Sequence, residues 1–197
     1  MKWYKYDIRV LTDNEYNKWY SLMSDDKQRR VDRFRFEDDK KRTVAGEMLA
    51  RTTIAEWCGV TPESITFGIK EHGKPYAKNV AVEFNISHSS DMVVCAVDDK
   101  PVGIDIEKIR PIDLSVAKRI CTDEELVYLF GRSPTEQSFT HSSDTDILTR
   151  FFKIWTAKEA CGKCAGSGIL DLKELSISKI VTFTISNEYI VSITERQ

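Results

Sequence analysis

No stretch of the chain approaches the run of about 20 apolar residues that a membrane-spanning helix needs. The opening residues, Met1-Lys2-Trp3-Tyr4-Lys5-Tyr6-Asp7, lack the apolar core of a secretory signal, so export is not expected. Cysteine is scarce and odd in number: Cys58, Cys95, Cys121, Cys161 and Cys164. Without an export signal, that argues against a disulfide framework. These absences predict a cytoplasmic protein with no membrane partner. In that compartment the Asn85-Ile86-Ser87 glycosylation sequon carries no meaning. A charge excess is missing too, since 29 Lys and Arg face 31 Asp and Glu for a net charge of −2. Neither a nucleic-acid partner nor an acidic tail is expected from such a balance. Several catalytic signatures are also absent. No G-x-S-x-G nucleophile elbow occurs. Gly162-Lys163 lacks the leading glycine and the Ser/Thr of a phosphate-binding loop. Cys161-Gly162-Lys163-Cys164 has no second pair to complete a zinc site, and its place late in a helix is wrong for a thioredoxin-like motif.

What is present is a globular composition, 41% hydrophobic and 30% charged over 197 residues, enough for one large domain or two small ones. The patterning predicts a strand around Asp7 to Leu11 and a helix capped by Thr12 or Asp13 that reaches Leu22. A second helix opens at Ser24-Asp25-Asp26. A longer one spans Asp38 to Cys58, with Val44, Met48, Ala55 and Cys58 near one face and Gly59 as its stop. Strands are expected at Ile65–Ile69, Val82–Ile86, Met92–Val97 and Val102–Glu107, with turns at Gly73-Lys74-Pro75 and Asp98-Asp99-Lys100-Pro101. The pattern then returns to helices: Leu114–Ile120, one opened by Thr122 with Glu125 at the capping-box position, and Asp146–Ala165 after a Ser/Thr/Pro-rich loop from Gly131 to Thr145. Strands at Leu175–Ser178, Val181–Ile185 and Tyr189–Thr194 close the chain. The order implies an α+β fold of two similar halves, 1–101 and 102–197, although no residue-level repeat marks a duplication.

Four local patterns have chemical content. In Pro101-Val102-Gly103-Ile104-Asp105-Ile106-Glu107, strand alternation puts Asp105 and Glu107 on one face and Ile104 and Ile106 on the other. Paired carboxylates suit a hard cation such as Mg²⁺ or Mn²⁺, but the same pattern describes a half-buried strand whose acids face water. On the last long helix Trp155, Glu159 and Lys163 share a face. Glu159 and Lys163 form an ordinary i,i+4 pair, yet they continue the apolar line of Phe151, Phe152 and Trp155, where an unpaired charge is expensive. Asn85-Ile86-Ser87-His88-Ser89-Ser90 ends a strand with groups that bind phosphate oxygens or backbone amides equally well. Lys27 to Arg42 carries a local positive excess that serves either as a solvated helix face or as a phosphate-binding surface.

Taken in order, Gly73-Lys74-Pro75, Phe84-Asn85-Ile86-Ser87-His88-Ser89, Val102-Gly103-Ile104-Asp105-Ile106-Glu107 and Trp155-Thr156-Ala157-Lys158-Glu159-Ala160-x-x-Lys163 resemble the Sfp-type 4'-phosphopantetheinyl transferases. The resemblance runs from about Ser24 to Gly168. Each motif is weak alone, but four in the same order are specific. It implies two α+β halves with pseudo-twofold symmetry and coenzyme A in the cleft between them. It implies Mg²⁺ (or Mn²⁺) bound by Asp105, Glu107 and Glu159 together with the pyrophosphate. Lys27, Arg30 and Arg42 match positions near the 3'-phosphate and adenine. Lys74, Ser87 and His88 match contacts to the nucleotide phosphates, and Lys163 matches the lysine that steadies the pyrophosphate and leaving group. The implied reaction moves 4'-phosphopantetheine from coenzyme A to a serine of an apo acyl or peptidyl carrier protein, releasing 3',5'-ADP, with the enzyme acting as a monomer. Glu159, Lys163 and His88 are the expected catalytic groups. Two alternatives remain at this stage: a coenzyme A or carrier-protein binding module without catalysis, and a Mg²⁺-dependent nucleotide pyrophosphatase. The chain departs from the family pattern in a longer stretch between Asp105 and Trp155, in an early end at Gln197, and in the small Cys161 and Gly162.

Overall fold

A computed structural model describes residues 1–70, 73–166 and 180–195. The chain forms two compact units, Met1–Val102 joined by Glu195, and Gly103–Thr194.

In the first unit, β1 (Lys2–Asp7) takes the aromatic Trp3, Tyr4 and Tyr6, which favour a pleated strand. The strand expected at Asp7–Leu11 is therefore displaced toward the N-terminus. Asp7 instead accepts a hydrogen bond from the Arg9 amide and starts a 3-10 turn over Ile8–Val10. Next comes α1 (Asp13–Ser21), held by a full capping box in which Thr12 and Glu15 satisfy each other's backbone amides. α2 (Asp25–Asp32) follows, and then α3 (Glu37–Cys58), which ends at Gly59 in the left-handed conformation with φ +70. A short hairpin joins β2 (Phe67–Ile69) to β3 (Pro75–Ala77). A longer one joins β4 (Glu83–Ser89) to β5 (Met92–Asp98) through a turn that holds Ser90 at positive φ.

All seven residues of β5 are buried, as befits the central strand of a sheet ordered β1-β5-β4 in which both pairings are antiparallel. Within it, burial pushes the Cys95 thiol up to about 12 and leaves it a small, inert core group. The expectation of one apolar stripe on α3 was too narrow. From Val44 to Ala55 the helix is buried nearly all round and passes through the core with Val31, Ile65 and Val93. Two of its buried residues, Glu47 and Arg51, are charged.

β6 (Val102–Lys108) leads from the first unit into the second, which starts at Gly103. Two-residue strands β7 (Ile112–Asp113) and β8 (His141–Ser142) pair across the Ser/Thr-rich segment, which is thus partly ordered rather than a plain loop. Between them lie α4 (Ala117–Ile120), extending a 3-10 turn over Leu114–Val116, and α5 (Asp123–Phe130) with its Thr122/Glu125 capping box. α6 (Thr145–Ala165) starts at the Asp144 cap and stops at Gly166. β9 (Val181–Ile185) and β10 (Tyr189–Glu195) form an antiparallel hairpin around Ser186 and Asn187, both at positive φ. The strand expected at Leu175–Ser178 lies outside the described residues. Leu114, Leu129, Phe151, Phe152 and Ile190 pack as this unit's core. Burying each such side chain contributes on the order of 2 kcal/mol.

The two units share a plan that no residue repeat announces. Each runs from one strand through short helices to a helix of about six turns, then to a closing hairpin. The sheet orders β1-β5-β4 and β6-β10-β9 are the same pattern, with the first strand beside the last and the hairpin's opening strand at the edge. The fold is α+β in two similar halves.

Candidate active site

Gly103 sets the geometry of the second unit. It shares a face of β6 with Asp105 and Glu107. A Cβ on Gly103 would lie 2.0 Å from the Ala160 carbonyl oxygen and 2.7 Å from the Cys164 nitrogen of α6. Strand and helix backbones therefore touch, and only glycine allows it. That contact brings the next residue on the face, Asp105, against the last turns of α6. Lys163 donates to Asp105 Oδ1 at 2.6 Å and lies 3.4 Å from the Ile104 carbonyl. Glu107 lies farther along β6, half-buried, with Arg110 at 3.2 Å. Glu159, one turn before Lys163, holds its proton more tightly than a solvated glutamate. Burial is the largest cause, the negative charge of Asp105 adds to it, Lys163 opposes it, and Glu107 adds a smaller push.

All three expected metal ligands thus fall in one electrostatic neighbourhood, two from a strand and one from a helix. Among the described residues no three His, Cys, Asp or Glu side chains stand as a ready-made cage. Lys163 pairs with Asp105 and Arg110 with Glu107. The donor set nonetheless fits a hard divalent cation, being all carboxylate oxygen, with Asp105 and Glu107 adding to the burial that raises Glu159.

Lys158, beside Glu159, is fully buried and pairs with Glu125 Oε2 at 2.9 Å. Glu125 also accepts the Thr122 amide, so the capping box of α5 is tied to the core face of α6. The sequence offered no sign that this lysine points inward. Gly103 did leave a signal, a glycine in the middle of an apolar strand, which marks close backbone approach.

In the first unit, Lys27 and Arg30 of α2 line a cavity of about 310 Å³ whose other walls include Phe67, Phe84 and Ile86. Gly73 and Pro75 also line it, and Lys74, between them in sequence, lies 3.9 Å from Glu83. Among the described residues Arg42 is not part of that wall. It donates to the Ser90 carbonyl at 2.8 Å and to Asp39 at 2.6 Å, tying the β4–β5 turn to α3. Ser87 and His88 fall on opposite faces of β4, Ser87 buried with Asn85 and His88 exposed on the side of Phe84 and Ile86. Cys161 and Cys164 lie on α6 without a disulfide, and burial raises the Cys161 thiol.

Two family models cover nearly the whole chain: 4'-phosphopantetheinyl transferase, N-terminal, over residues 11–100, and the 4'-phosphopantetheinyl transferase superfamily over residues 101–196. A 4'-phosphopantetheinyl transferase of Bacillus subtilis is 38% identical over 174 residues, covering 87% of this chain and 73% of that protein. The chain belongs to the 4'-phosphopantetheinyl transferase family. The transferase psf-1 of Bacillus pumilus is 38% identical over 174 residues, 86% of this chain and 70% of its own. The transferase Sfp of Bacillus subtilis strain 168 is 35% identical over 174 residues, 87% and 73% respectively. This protein is therefore an enzyme of the Sfp type, and phosphopantetheinyl transfer is its activity. In this phosphopantetheinyl transferase β6 and α6 bring together Asp105 and Lys163.

Proposed function

We propose that this transferase moves the 4'-phosphopantetheine of coenzyme A to a serine of an apo acyl or peptidyl carrier protein and releases 3',5'-ADP, with Mg²⁺ (or Mn²⁺) as cofactor. The observation that carries the reading is the Asp105, Glu159 and Lys163 cluster, assembled where Gly103 presses β6 onto α6. In the reaction the serine Oγ forms a bond to the β-phosphorus of coenzyme A, and the bond from that phosphorus to the 3',5'-ADP oxygen breaks. Such transfers depend on positioning and charge neutralisation more than on covalent help from the protein. Asp105, Glu107 and Glu159 would hold the divalent cation, which supplies neutralisation of the pyrophosphate oxygens when bound. Glu159, whose proton affinity is raised, takes the serine proton at a carboxylate oxygen, directly or through a water. Lys163 balances charge building on the departing phosphate. Lys27 and Arg30 meet the 3'-phosphate, and the apolar walls given by Phe67, Phe84 and Ile86 suit the adenine ring. Lys74, Ser87 and His88 contribute to the nucleotide phosphates in this reading, and Arg42 supports the β4–β5 turn beside them. As the sequence leads us to expect, the enzyme acts as a monomer in the cytoplasm.

The test is incubation with coenzyme A, Mg²⁺ and an apo carrier protein, followed by mass spectrometry of the carrier. The expected result is a gain of one phosphopantetheine, abolished in Asp105→Ala while the far-ultraviolet circular dichroism is retained. Release of phosphopantetheine without any carrier would instead make the enzyme a pyrophosphatase. Near wild-type turnover by Asp105→Ala would remove that residue from the metal site.

A further inference from the structure

Glu47 is 2% exposed in the middle of α3, where a carboxylate is tolerated only with full compensation. Each of its oxygens has its own cation: Oε1 accepts from Arg51 Nε at 2.7 Å, and Oε2 accepts from Lys27 Nζ at 2.5 Å. The two cations are not equivalent. Arg51 is 4% exposed, and its two terminal nitrogens donate to the Ile65, Leu22 and Pro62 carbonyls. It also lies over the Phe67 ring at 5.3 Å. Arg51 is therefore locked, and it neutralises Glu47, which is buried at the cavity wall. Lys27 comes from a different helix, α2, keeps about a third of its side chain in solvent, and lines the cavity next to Arg30. The three groups carry one net positive charge, and it is displayed at Lys27. Fixing a lysine head in advance removes the ordering entropy that a flexible four-carbon stem would otherwise lose on binding an anion. Since Arg51 already balances Glu47, the anchor fixes the ammonium without cancelling it.

We infer that Glu47 is a positioning residue for coenzyme A, holding the Lys27 ammonium at the cavity wall where it meets the 3'-phosphate. This rests on the reaction proposed above and deepens it. A core pair serving stability alone would need only Arg51, whereas Glu47 spends its second oxygen on a cavity-lining lysine.

The test uses the full chain, with dissociation constants for coenzyme A and 3'-dephospho-coenzyme A measured by calorimetry. Glu47→Gln keeps the shape and removes the charge. Glu47→Asp keeps the charge for Arg51 and draws it back by one methylene, so the comparison survives if Glu47→Gln fails to fold. The loss of a charge-assisted anchor predicts that coenzyme A binds about tenfold more weakly in either variant, while dephospho-coenzyme A changes by less than about twofold. In a Lys27→Met background, Glu47→Gln should add nothing further. Equal weakening for both ligands, or an additive effect in the Lys27→Met background, would assign Glu47 to the fold alone and overturn the inference. Wild-type protein that binds coenzyme A but transfers nothing would sink the proposed reaction separately, leaving Glu47 to be decided by the binding comparison. Failure of the wild-type chain to bind either ligand would overturn both.

Discussion

Glu159 is the carboxyl group of the site whose surroundings raise its proton affinity. Burial and the charges of Asp105 and Glu107 outweigh the pull of Lys163, so its pKa in the folded protein lies above its ordinary value. A carboxyl group raised in this way adds stability below its unfolded pKa and loses it as the pH rises through the folded one. Where it is ionised, Glu159 weighs against the fold, and a divalent cation that neutralises it should stabilise the protein. We expect Mg²⁺ to raise the melting temperature at neutral pH, and the gain to shrink as the pH falls toward and through a point above the usual glutamate value of about 4.3. Melting curves with and without Mg²⁺ across that range check this, and Glu159→Gln should flatten the dependence. A gain of the same size at every pH would contradict the role. Of the residues involved, strand and helix periodicities put Asp105 with Glu107 and Glu159 with Lys163 on shared faces, and the ordered family motifs, not the periodicities, singled them out. Glu47, Arg51 and Lys158 were not legible. A buried ion pair has no local signature, since each member looks like any surface charge until its partner, distant or one turn away, is in place.

At the scale of elements, the contact between β6 and α6 is the joint of the site. Gly103→Ala sets a methyl group against the Ala160 carbonyl, a backbone atom that cannot rotate away. Strand or helix must shift, and overpacking of this kind costs about 1–3 kcal/mol. The expected result is a lower denaturant midpoint together with a loss of transfer activity larger than the stability loss explains, because the shift also moves Asp105 away from Lys163. Unchanged activity in a stably folded Gly103→Ala protein would dissociate the joint from the chemistry. Most helix boundaries were legible to within a residue or so, since caps are local chemistry, but the helix expected over Leu114–Ile120 becomes an α-helix only at Ala117, after a 3-10 turn. The Thr12/Glu15 and Thr122/Glu125 boxes and the glycine stops at Gly59 and Gly166 all lie within a few residues of the ends they fix. The first strand was misplaced because its pairing with β5, about ninety residues away, selects Lys2–Asp7 over the neighbouring Asp7–Leu11. Local patterning does not contain that pairing.

For the whole molecule, the shared order of β1-β5-β4 and β6-β10-β9 gives both units the same plan on different residues. One chain thus holds both halves, which is the ground for expecting a monomer. Light scattering after size exclusion should return a mass near 22.6 kDa. A mass two or three times larger would overturn that expectation.

The sequence by itself determined the α+β class, the ends of the helices, the family and the face-sharing of Asp105 with Glu107 and of Glu159 with Lys163. All of these follow from periods of two and of three to four residues, from capping groups, or from ordered motifs, and such features act over short stretches of chain. Tertiary structure alone decided that β6 touches α6 at Gly103, that Lys163 closes on Asp105, and that Glu47 stands between Arg51 and Lys27. The reason is physical: these are interactions between segments separated by tens of residues, or between charges withdrawn from water. Their energies depend on the packing that surrounds them, which no local pattern encodes.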